Sequence, residues 1–271
     1  MMRTLLAEEI RTLGTVHAKT IGVLVAAGIG VLAISLVPYT MNADVPSLMV
    51  TLWAAVAFIL PAPVIVIHGL AQYWQSMHGR RGYLTMSLPA RGREVFGAKI
   101  IYLLCAVVVA LAVTAVGLAV VIVVRAQIAG TSPAEVWQQA LTYFEVVGAV
   151  KVAVVIGIVV LQILTWVLMW ATVMSISAQT RWNHLGIGGV VLGMVALYLV
   201  CQVVYAVAMI LMPVGLDMTT GEIVTRSMLP ELLRGDDVTV FGLGFVPASV
   251  LLCVGLAWWA VRALERHASL R

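Results

Sequence analysis

Between two long apolar stretches, the chain gathers the side chains best suited to binding another molecule. They are Gly79, Arg80, Arg81, Gly82, Tyr83, Leu84, Thr85, Met86, Ser87 and Leu88, followed by Pro89, Arg91, Arg93, Glu94 and Lys99. Arg80, Arg81, Arg91, Arg93 and Lys99 face a single acid, Glu94. Such a run can hold lipid phosphates at a membrane surface. With apolar Tyr83, Leu84, Met86 and Leu88 among the cations, it can equally form a short helix that docks on another protein. Pro89 suits the first turn of a new helix, leading through Val95 and Phe96 into the next apolar run.

Other chemistry is sparse. The chain has no G-x-x-x-x-G-K-[ST] phosphate loop, no H-E-x-x-H, no G-x-S-x-G and no Cys/His zinc spacing. The expectation is a chain without enzymatic activity, metal or cofactor of its own. Glu8-Glu9 reads as an exposed helix face rather than a protease centre. His68 is the main ionisable group inside an apolar run, and no Asp or Glu lies within a run to pair with it. That favours a neutral, hydrogen-bonded histidine over a proton relay. Gln162, Gln202 and Tyr205 fit either hydrogen bonds within a bundle or the lining of a substrate path. Gly189-x-x-x-Gly193 permits close helix approach, within the chain or between two copies. Cys105, Cys201 and Cys253 lie in apolar runs and read as small hydrophobes.

The elements that position these groups are membrane helices. Of 271 residues, 62% are hydrophobic and 10% charged, against about a quarter charged in soluble domains. Apolar runs of about 20 residues each match the ~30 Å of bilayer hydrocarbon, where open sheets would leave backbone groups unpaired. Six spans are expected, near 20–37, 48–73, 100–124, 152–178, 185–212 and 241–261. Pro61 and Pro63 should kink the second. Before the first span, Met2, Leu6, Ile10, Leu13 and Val16 recur at helical spacing opposite Arg3, Glu8 and Arg11, which predicts an amphipathic interfacial helix over 1–19. No signal-peptide pattern occurs there, so the first span is expected to act as an uncleaved targeting signal. Ser132-Pro133 opens a predicted interface helix over 133–147, carrying Trp137, Tyr143 and Phe144. The acidic segment 213–240 has room for short helices, with no firm pattern.

Basic residues set the topology. The N-terminus, the breaks at 75–99 and 179–184 and the tail at 262–271 carry twelve of the 16 Lys and Arg, whereas 126–150 and 213–240, with their flanks, carry Arg125, Lys151, Arg226 and Arg234. The positive-inside rule places the first set, and both termini, in the cytoplasm. The net charge of +4 follows from this asymmetry, without a nucleic-acid surface.

Gly82-Tyr-Leu-Thr-Met-Ser-Leu-Pro-Ala-Arg, followed by Gly97-Ala-Lys99, resembles the loop joining spans two and three in ABC-2 type transporter permeases. The amphipathic N-terminal helix, six spans, inner termini and long outer segment between spans five and six extend the resemblance over the chain. It implies an all-α integral membrane protein, a six-helix transmembrane domain over 20–261, in a bacterial cytoplasmic membrane. It implies pairing with a second permease copy, or a homologous permease, and two copies of an ABC ATPase that binds ATP and Mg. Residues Gly79 to Leu88 would form the coupling helix seated on that ATPase. Spans two and five would line the dimer interface, making Pro61, His68, Gln202 and Tyr205 candidates for the interface or the cargo path. The sparse charge in the spans points to an apolar or amphipathic cargo: a drug, peptide or lipid-like compound. Arg80-Arg81 stand where many family members have a glutamate, so docking charge is reversed or specialised here. The alternatives are a non-transporting membrane anchor or sensor for a cytoplasmic partner, and a non-ABC carrier.

Overall fold

The computed structural model describes residues 1–40, 44–79, 82, 90–179, 185–235 and 237–266. Its helices are α1 (Met2–Thr40), α2 (Asp44–Ile59), α3 (Pro61–Met77), α4 (Gly92–Ile128), α5 (Pro133–Val147), α6 (Ala149–Ser177), α7 (Ile187–Leu211), α8 (Leu229–Arg234) and α9 (Phe245–Arg266). Strands β1 (Gly215–Asp217), β2 (Ile223–Val224) and β3 (Val240–Gly242) lie between α7 and α9. Six helical segments are long and apolar enough to cross a membrane, α2 and α3 together forming the second. The chain has the architecture of a multi-pass membrane protein. It divides into two compact units, one of Met1–Tyr73 and Glu94–Val152, the other of Trp74–Arg93 and Ala153–Arg271.

In the first unit, α1 is longer than expected. The stretch predicted to lie on the membrane surface and the first span are one uninterrupted helix. No proline separates them, and the hydroxyls of Thr12, Thr15 and Thr20 bond back to the carbonyls of Glu8, Thr12 and Val16 within the turns. Thirty-nine residues rise about 58 Å, roughly twice the ~30 Å of hydrocarbon, so α1 extends well beyond a single crossing. The proline break in the second span lies where the sequence placed it, at Leu60 between α2 and α3. Pro61 and Pro63 supply no N–H to the ladder, while Leu60 N–H still reaches Val56 O at 3.1 Å and Val64 N–H reaches Leu60 O at 3.1 Å. Phe58, Leu32, Ala54 and Val121 form the buried centre of this unit. Nearby, Ser47 Oγ donates to Ser35 O at 3.3 Å.

Helix α5 has the start that its sequence demands. Ser132 Oγ accepts from Glu135 N–H at 3.2 Å, and Glu135 Oε2 accepts from Ser132 N–H at 3.1 Å. This reciprocal pair closes the first turn. Trp137, Tyr143 and Phe144 are exposed on it.

In the second unit, Met169, Val173, Leu197, Cys201 and Cys253 form the buried centre. The segment 213–240 departs from the all-α expectation. It carries an antiparallel sheet of order β2-β1-β3, with Leu216 opposite Ile223 on one side and Phe241 on the other; α8 is its one short helix. Two carboxylates pin its turns. Asp217 Oδ1 accepts from the N–H groups of Thr219 and Thr220 at 2.9 and 3.2 Å, and Oδ2 accepts from Arg226 at 3.1 Å. Glu231 Oε2 accepts from Thr239 N–H at 2.8 Å, and Oε1 from the Thr239 hydroxyl at 2.9 Å.

Those donors favour the ionised forms. The Thr219 hydroxyl, then its amide, hold Asp217 below its ordinary value of 3.8, and the Thr239 amide, then its hydroxyl, hold Glu231 below 4.5. Folded values depressed below unfolded ones give a contribution present above the unfolded values and lost as pH falls through the folded ones. The amide proton resonance of Thr219 is therefore expected to titrate with a midpoint below 3.8, and those of Thr239 and Val240 with a midpoint below 4.5. A midpoint at or above 3.8 for Thr219, or at or above 4.5 for Thr239 and Val240, would contradict the assignment.

Candidate functional site

The strongest concentration of hydrogen-bonding side chains among the described residues lies in the first unit, on α1, α3 and α4. Helical spacing builds it. His68 and Gln72 are four residues apart on α3, and Lys99 and Tyr102 are three apart on α4, so each pair shares a face. Glu9 and His17, two turns apart, bring α1 to the same place. His17 Nε2 lies 2.9 Å from His68 Nδ1, and the Tyr102 hydroxyl 2.8 Å from His17 Nδ1. Gln72 Nε2 lies 3.4 Å from His68 Nε2. Lys99 forms a short ion pair with Glu9. The His17 ring stacks on Tyr102 at 16° and meets His68 edge-on at 77°.

His17 and Tyr102 are 4% and 8% exposed, so their polar atoms need partners within the protein. Close approach of α3 and α4 makes this possible. A Cβ at Gly69 would stand 2.3 Å from Leu103 Cδ1, and these residues adjoin His68 and Tyr102 in sequence.

His68 is hydrogen-bonded, and its partners are a second histidine and Gln72. His17 falls in the stretch expected to be a separate surface helix, so only the continuity of α1 reveals the pairing. Glu9 also departs from expectation: it pairs with Lys99 rather than forming part of an exposed face. An eight-residue helical stripe from Glu9 to His17 is the sequence signal that points to both.

The other predicted residues are dispersed. Pro61 is fully buried in the first unit. In the second unit, Gln202 is exposed on α7, and the Tyr205 ring packs edge-on against Trp166 at 6.4 Å. Gln162 makes a bundle contact, donating to Ser249 Oγ at 3.1 Å. Gly193 serves an internal helix contact: its Cβ position lies 2.8 Å from Val173 Cγ1 and 2.9 Å from Ser177 Oγ. All three cysteines are free, Cys201 and Cys253 buried and Cys105 exposed. A cavity of about 370 Å³ opens between α6, α7 and α9, lined by Val173, Gly193, Leu197, Leu252, Trp259 and other apolar groups, with Ser177 as its polar exception. Gln202 and Tyr205 are not part of that lining.

Of the predicted docking run, Gly79 and Gly82 belong to the described residues; Arg80, Arg81, Tyr83, Leu84, Thr85, Met86, Ser87 and Leu88 lie outside them. The end of α3 is capped by His78 and Gly79, whose N–H groups both reach Trp74 O, at 2.8 and 3.0 Å; Gly82 N–H reaches Gly79 O at 2.8 Å. The start of α4 at Gly92 lies against α9, its Cβ position 3.4 Å from Leu264 Cβ. Among the described residues, no group of three or more His, Cys, Asp or Glu side chains is placed to hold a metal ion. Comparison with protein-family models, curated proteins and solved structures finds no match to this chain.

Proposed function

We propose that this chain is the membrane-spanning subunit of an ATP-driven exporter of the ABC-2 type. The observation that carries the reading is the segment Gly82–Lys99, with its Gly-Tyr-Leu…Leu-Pro pattern, between the second and third apolar helices on the side richest in arginine. The helix that follows suits a lever. α4 has 37 residues, about 55 Å, and exceeds the ~30 Å thickness of hydrocarbon. Motion imposed on its first turns passes into the membrane along a single rigid element. A separate ATPase, two copies per transporter, binds ATP and Mg and presses on residues 79–88. A second permease chain completes the membrane dimer. Its two states differ in their contacts with the ATPase, which is what allows hydrolysis to bias them. The apolar cavity between α6, α7 and α9 is compatible with an apolar or amphipathic cargo.

The test is extraction from native membranes with analysis of bound proteins, followed by substitution in the docking run. A P-loop ATPase is expected to co-purify. The double variant Tyr83→Asp/Leu84→Asp is expected to lose at least about tenfold in affinity for it, since each change places a charge in an apolar contact and about 1.4 kcal/mol already corresponds to tenfold. Recovery of the chain without any P-loop ATPase, or unchanged affinity in the double variant, overturns the reading.

A further inference from the structure

The His17–His68 pair has a property beyond holding helices together. In a neutral imidazole one ring nitrogen donates and the other accepts. The sequence of contacts is Tyr102 Oη, His17 Nδ1, His17 Nε2, His68 Nδ1, His68 Nε2 and Gln72. Fixing the direction of one hydrogen bond therefore fixes the rest. With the Gln72 amide nitrogen toward the ring, His68 Nε2 accepts, His68 Nδ1–H donates to His17 Nε2, and His17 Nδ1–H donates to the Tyr102 oxygen. With the amide turned over, every bond reverses: Tyr102 O–H donates to His17 Nδ1, His17 Nε2–H to His68 Nδ1, and His68 Nε2–H to the Gln72 carbonyl. Both arrangements satisfy each nitrogen of the two rings.

A third arrangement holds one added proton. His17 donates from both nitrogens, to the Tyr102 oxygen and to His68 Nδ1, and His68 Nε2–H donates to the Gln72 carbonyl. Moving the proton across the 2.9 Å between the rings transfers the charge to His68 and leaves all contacts paired. A second proton has no such place, because it sets N–H against N–H between two cations whose ring centroids are 5.0 Å apart.

The surrounding charges do not supply a rival proton acceptor. On α1 there is Glu9 and on α4 Lys99, and these form an ion pair with each other; α3 presents His68 and neutral Gln72. We propose that His17, His68, Tyr102 and Gln72 form a proton-binding site that takes one proton shared between two histidines. Uptake and release of the proton make and break no bond other than N–H. The site is independent of the exporter reading, and its test uses the isolated chain.

The experiment is ¹⁵N spectroscopy of the full chain, labelled at the imidazole nitrogens of its five histidines and held in lipid nanodiscs, from about pH 8 to about pH 5. His17→Asn and His68→Asn assign the signals. The two rings are expected to titrate with one common midpoint and a combined uptake of one proton, and to show a nitrogen–nitrogen coupling through the hydrogen bond. In His68→Asn, His17 should take a whole proton, with a midpoint displaced by about one pH unit or more, as for any strongly coupled pair separated into its parts. Gln72→Leu removes the acceptor for His68 Nε2–H and should move the shared charge toward His17; it provides the same reading if an asparagine variant does not fold. His78→Asn should leave the pair unchanged. Separate midpoints with a full proton on each ring, or a His17 titration indifferent to both His68→Asn and Gln72→Leu, overturn the proposal.

Discussion

Replacing Gly117 with leucine is expected to destabilise the first unit by about 1–3 kcal/mol or more, the range for overpacked cores. Phe58, 3% exposed, lies between two glycines. A Cβ at Gly28 would meet the far edge of its ring, at 2.9 Å from Cζ. At Gly117 it would meet the root of the side chain, at 2.3 Å from Cδ1 and 2.8 Å from Cβ. A ring edge can shift by a small rotation, whereas a Cβ is fixed to the backbone, so Gly28→Ala should cost less than Gly117→Ala. Phe58→Ala alone should cost about 3–5 kcal/mol through the cavity it leaves. In lipid, helix association rests largely on such van der Waals contact. The double variant Gly117→Leu/Phe58→Ala fills the hole from the other side. Its loss should be smaller than the sum of the single losses by about 0.5–3 kcal/mol. Reversible unfolding in mixed micelles measures all five, and strict additivity of Gly117→Leu and Phe58→Ala would show that the two residues do not share a packing site.

These contacts mark the boundary of what the residue string reveals. Spans are legible because an uncharged run of about 20 apolar residues matches the thickness of hydrocarbon and exceeds what a soluble core helix needs. The start of α5 is legible because Ser132 and Glu135 stand at capping-box spacing before a proline-led turn. The break at Leu60 follows from the missing N–H groups of Pro61 and Pro63. Each of these signals is local.

What stays hidden depends on residues distant in sequence. Nothing near Gly117 announces that a ring from residue 58 will rest on it. The same holds for Gly242 and Gly244, whose Cβ positions fall 2.1 Å from Met209 O and 2.0 Å from Ala208 O. Neither has a positive φ, so the requirement is for space against the end of α7 and leaves no turn signature. Strands of two or three residues, as in β1 to β3, are too short to show alternation. The polar centre is half legible: His68 stands out as an ionisable group in an apolar run, while His17 is concealed as long as a surface helix is taken to end before the first span. The docking run rests on its residue pattern, since most of it falls outside the described residues.

Breaking the Glu9–Lys99 pair is the second change expected to have a large effect. Both side chains are largely buried, 17% and 11% exposed, and removing one member of such a pair leaves the other charge uncompensated, at a cost of about 3–5 kcal/mol. Lys99→Met is therefore expected to lower the unfolding midpoint sharply. Glu9→Gln/Lys99→Met should recover most of the loss, because an apolar and a neutral group replace two charges. Stability and coupling should then separate. Lys99 ends the segment proposed to carry motion from the ATPase, and Tyr102, one turn further along α4, bonds to His17 on α1. α4 thus grips α1 at two neighbouring points, one ionic and one hydrogen-bonded. If the segment works as a lever, the ionic grip transmits its displacement to α1, and the neutral double variant should fold yet move less cargo for each ATP hydrolysed. Transport per ATP in reconstituted vesicles, measured beside the unfolding midpoint, decides this. Recovery of both quantities in the double variant would make the pair a support for the fold, with no part in carrying the motion.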